Sequence, residues 1–76
     1  MKNIIFKKTG RYYDFIATIE NTNDFPVRVI DYYDAELEDL VVPANDWVGL
    51  LADETGRMWA KKIEKGEYSL GEVDDE

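Results

Sequence analysis

From Tyr13 to Glu20 the side chains alternate, with Tyr, Phe, Ala and Ile at odd positions and Asp, Ile, Thr and Glu at even ones. A period of two marks a strand with one buried face, because successive strand side chains point to opposite sides. Asn3 to Lys8, just before it, is rich in β-branched and aromatic residues. Thr9-Gly10 lies between the two runs and predicts a turn, so they read as a hairpin.

The rest of the chain is punctuated in the same way. Asn21-Thr22-Asn23-Asp24 is four turn formers in a row. Phe25 to Ile30 reads as a third strand reaching toward Tyr33, with Pro26 at its entry, where no ladder donor is needed. Leu40-Val41-Val42 is a fourth, stopped by Pro43. Trp47 to Ala52 and Arg57 to Ile63 flank Asp53-Glu54-Thr55-Gly56. That tetrapeptide has the composition of a type I turn followed by a left-handed glycine, so it predicts a second hairpin. Tyr68-Ser69-Leu70 adds a last short strand after the Lys65-Gly66 turn. Asp34 to Asp39 is either a polar loop or one helical turn capped by Asp34.

The expectation is an all-β fold: a small antiparallel sandwich or partly open barrel of five or six strands. At most one short helical turn, near 34–39, accompanies it. The predicted core is Ile4, Phe6, Tyr13, Phe15, Ala17, Ile19, Val27, Val29, Val41, Leu50 and Trp59. Seventy-six residues are enough for one domain, assigned here to residues 1–70. Residues 71–76, Gly-Glu-Val-Asp-Asp-Glu, offer one large apolar side chain to a core and read as an acidic disordered tail.

The chain has no cysteine, so neither a disulfide nor a thiolate is available. That favours a reducing compartment, the cytoplasm. The apolar run near the start is only Ile4-Ile5-Phe6, too short for a signal-peptide core or a membrane span.

Histidine is also absent, and the five glycines never fall in a phosphate-binding pattern. The usual general base and nucleophile–base pairs are therefore missing. No residue is assigned a catalytic, cofactor-binding or metal-ligating role, and the protein reads as a non-enzyme. Asp31 to Asp39 holds five acids in nine residues, but without a glycine for the sharp turn of a calcium loop.

Seventeen acidic residues stand against nine basic ones, a net charge of −8. Such a charge opposes direct binding to nucleic acid or anionic lipid. It also opposes a single-strand-binding role for the basic and aromatic cluster of Lys7, Lys8, Arg11, Tyr12 and Tyr13. The charge is unevenly spread along the chain. Residues 1–11 and 57–65 are basic, and the stretch between them holds one base, Arg28, against eleven acids.

These features point to a non-enzymatic protein-binding module, a small accessory or inhibitory protein with an acidic and aromatic surface. Its partner is another protein, one with a basic surface. The candidate contact residues are Tyr32, Tyr33, Asp34, Glu36, Glu38, Asp39 and Trp47. Acids interleaved with tyrosines also suggest an alternative, a nucleic-acid-mimicking inhibitor of a DNA- or RNA-handling enzyme, as phages and mobile elements encode. Trp47 and Trp59 are expected to face each other across the second hairpin, with at least one in the core. The segregated charge allows a homodimer in which a basic face meets an acidic one around a buried Trp or Tyr.

Overall fold

The computed structural model describes residues 4–12, 14–33 and 37–73. Six strands and one helix follow one another along these residues. They are β1 (Ile4–Tyr12), β2 (Phe15–Asn21), β3 (Val27–Asp31), β4 (Leu40–Val42), β5 (Asp46–Leu51), α1 (Glu54–Lys65) and β6 (Tyr68–Glu72). The strands form two antiparallel three-stranded sheets, ordered β1-β2-β5 and β4-β3-β6. The small all-β architecture is as the alternation predicts.

Each sheet turns one face inward. Ala17, Ile19 and Leu50 are buried on the first, with Ile4, Phe6 and Val48 packed against them. Val27, Val29 and Val42 are buried on the second, lined further by Leu40, Tyr68 and Leu70. Trp59 and Ile63, one helical turn apart on α1, fill the core beside the sheets.

The helix corrects the second expected hairpin. Residues 57–63 are not a strand but the body of a twelve-residue helix. Asp53 is its N-cap: in extended conformation, it accepts the Gly56 amide at 2.7 Å. Glu54 lies in the first turn and Lys62 and Lys65 in the last, each suited to the helix dipole. Gly66, at φ 77°, ends it. The Gly66 amide donates to Ile63 O at 3.1 Å and the Glu67 amide to Lys62 O at 2.8 Å, the paired bonds of a Schellman cap. The apolar spacing also suits a helix: Trp59, Ala60 and Ile63 fall on one face, whereas a strand over Arg57–Ile63 would put Trp59 and Ala60 on opposite faces.

Four smaller corrections concern the strands. β1 runs on through Thr9-Gly10, the expected turn, as far as Tyr12, and its register with β2 slips between Lys8 and Tyr12. Phe15 pairs with Leu51 and Ala17 with Leu50, so Ile16 is an extra residue in β2. That bulge puts Ile16 against the core and turns Phe15 to the outer face. Val41 is exposed, and Val42, opposite Val27, takes its place inside. Gly71 and Glu72 continue β6 against Arg28 and Val27 instead of belonging to a tail. Tyr13, the start of the 34–39 segment and residues 74–76 lie outside the described residues. Leu37 to Asp39 are neither helix nor strand.

Asn21 ties the two sheets together where the chain crosses between them. It is fully buried at the end of β2. Its Nδ2 lies 2.8 Å from Phe25 O, 3.0 Å from Val42 O and 3.1 Å from Pro43 O. Its Oδ1 accepts the Asn23 amide at 2.9 Å and the Asn23 Nδ2 at 2.8 Å. Asn45, at φ 53°, turns the chain from β4 into β5, and its amide donates to Asn23 O at 3.0 Å. Buried polar groups need such partners, and here one side chain supplies them to both sheets.

Candidate protein interface

Tyr32 and Tyr33 leave the end of β3 with their rings in solvent, at 63% and 70% exposure. The rings meet edge to face, with centroids 4.8 Å apart and planes at 84°. Their backbone is held on both sides. The Tyr32 amide donates to Glu67 O at 3.3 Å, just past the helix. The Tyr33 amide donates to Asp31 Oδ1 at 3.2 Å, an Asx-type bond that turns the chain. Asp31 is buried at the last inward position of β3, and the same Oδ1 lies 3.3 Å from Lys62 Nζ on α1. The aromatic pair therefore stands on an anchored base.

Glu38 and Asp39, at the other end of the same connection, are exposed, and Asp39 pairs with Arg28 at 3.7 Å. Asp34 and Glu36 lie outside the described residues. The fold brings the two tyrosines, Glu38 and Asp39 onto one β3–β4 connection.

Trp47 does not join them. It begins β5 in the other sheet, opposite Glu20 and beside the Asn21 junction, at the Val27 end of β3. The tyrosines follow the Asp31 end. Trp47 and Trp59 are not a cross-strand pair either, since Trp59 is buried on α1 while Trp47 is 43% exposed. Trp47 packs edge-on against Phe15, with ring centroids 5.8 Å apart.

The charge that is segregated in sequence is interleaved in space. Lys8 Nζ reaches Glu64 at 3.1 Å, linking β1 to α1, and Lys62 and Arg28 reach acids of the middle segment. Pairs as exposed as Lys8–Glu64 contribute about 0–1 kcal/mol each, so that contact shapes the surface field more than the stability.

The chemistry of the surface is limited. Among the described residues no group of three or more Asp, Glu, His or Cys could hold a metal ion. A cleft of about 160 Å³ opens beside the start of α1, lined by Leu40, Leu51, Thr55 and Trp59 among others. Its carboxylate, on Asp53, is engaged in capping the helix. No helix among the described residues is long and apolar enough to cross a membrane. Comparison with protein-family models, curated proteins and solved structures finds no match.

One surface escapes the sequence reading. The outer face of the β1-β2-β5 sheet exposes Ile5, Trp47 and Leu51 beside Phe15. A signal for it exists in β5, where Trp47-Val48-Gly49-Leu50-Leu51 shows no polar face at all.

Proposed function

We propose that the protein is a non-enzymatic binding module that recognises another protein through the β3–β4 connection. The observation that carries this reading is the Tyr32–Tyr33 pair: two large rings in solvent, on a backbone pinned by Asp31 and Glu67. Tyrosines of this kind dominate interface energetics, and a fixed backbone reduces what must be ordered on binding. Glu38 and Asp39, exposed on the same connection, favour a partner with a basic surface. The lack of histidine and cysteine supports a role without catalysis, and the lack of cysteine suits the cytoplasm.

Affinity capture with mass spectrometry tests the proposal. The wild-type chain is expected to retain a partner at low salt. Tyr32→Ala combined with Tyr33→Ala weakens that complex by about 30-fold or more, while Trp47→Ala leaves it intact. A partner held equally by the double variant overturns the tyrosine site. A DNA- or RNA-handling enzyme released by modest salt, and by charge reversal at Glu38 and Asp39, favours the nucleic-acid mimic instead.

A further inference from the structure

We infer that the outer face of the β1-β2-β5 sheet is a weak self-association surface, whose occupant is a second copy of this chain. The face is distinct from the tyrosine site, and the inference does not depend on it. Residues directly opposite in antiparallel strands share a face. The register therefore builds two rows across the outer side, Ile5–Glu20–Trp47 and Lys7–Thr18–Gly49, followed by the Phe15–Leu51 pair. The core and α1 lie on the other side. Ile5, Trp47 and Leu51 remain 41%, 43% and 47% exposed. The Phe15 ring lies over Gly49, where a Cβ would collide with it, so an aromatic ring covers that part of the face.

Two observations select a second copy. The first is charge. Lys7 and Glu20, on adjacent strands and adjacent rows, are the two charges among these outer-row residues, and both are exposed. Neither is in an ion pair among the described residues. These described rows are thus neutral on a protein of net charge −8. A two-fold axis lying in the interface midway between them sets each lysine over the other copy's glutamate, so the face is complementary to itself.

The second is that the neighbouring edge is partly engaged. The Ala52 amide donates to Asp14 O on the β2 side, at 3.2 Å, so alternation puts the backbone groups of Trp47, Gly49 and Leu51 on the open edge of β5. The Trp47 amide is taken by Asp46 Oδ1 at 2.7 Å, and the Leu51 carbonyl lies under Gly56. On β1, Lys7 and Lys8 discourage strand addition. Copies meet by faces, not by edges.

The area argues for a weak contact. Three strands about 4.8 Å apart, with about 3.3 Å per residue, give a face of roughly 15 by 20 Å. That falls short of the area of stable dimers, so association is expected only at about 100 µM and above.

Sedimentation equilibrium from about 10 to 1,000 µM tests the inference, with circular dichroism to confirm that each variant folds. The wild-type mass is expected to rise from that of the monomer toward twice that value. Trp47→Ala should weaken association about ten-fold. Glu20→Lys sets two bases against each other and Lys7→Glu two acids, so each weakens it. The two together restore it. Concentration-dependent amide shifts in the wild type, confined to Ile5, Lys7, Thr18, Glu20 and Trp47, would support the same face without any variant. A wild-type mass that stays monomeric throughout overturns the inference, as does a charge swap that restores nothing or shifts confined to other surfaces.

Discussion

Gly56 lies directly against the carbonyl oxygen of Leu51, so close that a Cβ on Gly56 would overlap that oxygen. The first turn of α1 thereby rests on the last residue of β5, and Trp59, one turn further, reaches the core. At an exposed helical site, Gly→Ala stabilises by about 1 kcal/mol. Here the backbone must move instead. Gly56→Ala is expected to destabilise the protein by about 1–3 kcal/mol, read from the urea midpoint at unchanged slope. A gain in stability would mean that α1 does not pack on β5 through this contact.

Asn21 offers a second test, at the other end of the same strand pair. Its amide reaches three carbonyl oxygens at the junction of the two sheets, from a side chain with no access to water. Asn21→Ala leaves them without that donor and opens a small cavity, for an expected loss of about 2–4 kcal/mol. Asn21→Asp keeps the shape but sets a carboxylate oxygen toward the same carbonyls, and should be at least as damaging. Equal stability of Asn21→Asp and wild type near neutral pH would contradict the hydrogen bonds made by Nδ2.

Gly66 separates backbone conformation from crowding. It has φ 77°, yet a Cβ there would meet nothing within 4 Å. Any loss on substitution is therefore conformational. Gly66→Ala is expected to lower stability by about 1–2 kcal/mol, and Gly66→Asn by less, because Asn tolerates the left-handed region. Thermal unfolding of the pair checks the order. The two losing equally would argue against a left-handed cap.

How much of this was legible from the residues differs by element. The inward set Ala17, Ile19, Val27 and Val29 follows from alternation, because those strands bury one face and keep regular pairing. Alternation fails at Phe15, where the bulge adds a residue that local pattern cannot reveal. It fails again after Asp53, because Asp and Gly serve a turn and a helix cap equally well. Only the adjacent pair Trp59-Ala60, which shares one face of a helix but falls on opposite faces of a strand, separates those outcomes. The exposure of Tyr32 and Tyr33 agrees with their polar surroundings in sequence. Their anchoring does not show there, since it depends on Asp31 being buried against Lys62, thirty-one positions away. Trp47 reads as a neighbour of the tyrosines only until the strands are assigned to sheets, which is a non-local choice.

The two tryptophans supply the test that most directly separates helix from hairpin over residues 57–63. In a hairpin with Trp47 and Trp59 across from each other, the indoles would share one face and a similar environment. In the structure Trp59 is 1% exposed on α1, and Trp47 is 43% exposed on the outer side of a sheet. Trp47→Phe leaves Trp59 as the reporter, and its emission should be blue-shifted and nearly insensitive to iodide. Trp59→Phe leaves Trp47, whose emission should be red-shifted and readily quenched. Their stabilities should split as well. Trp59→Phe shrinks a fully buried ring and is expected to lose about 1–3 kcal/mol, whereas Trp47→Phe changes an exposed edge contact with Phe15 by about 0.5 kcal/mol or less. Matching quenching and matching stability in the two variants would restore the hairpin and remove the helix from the core.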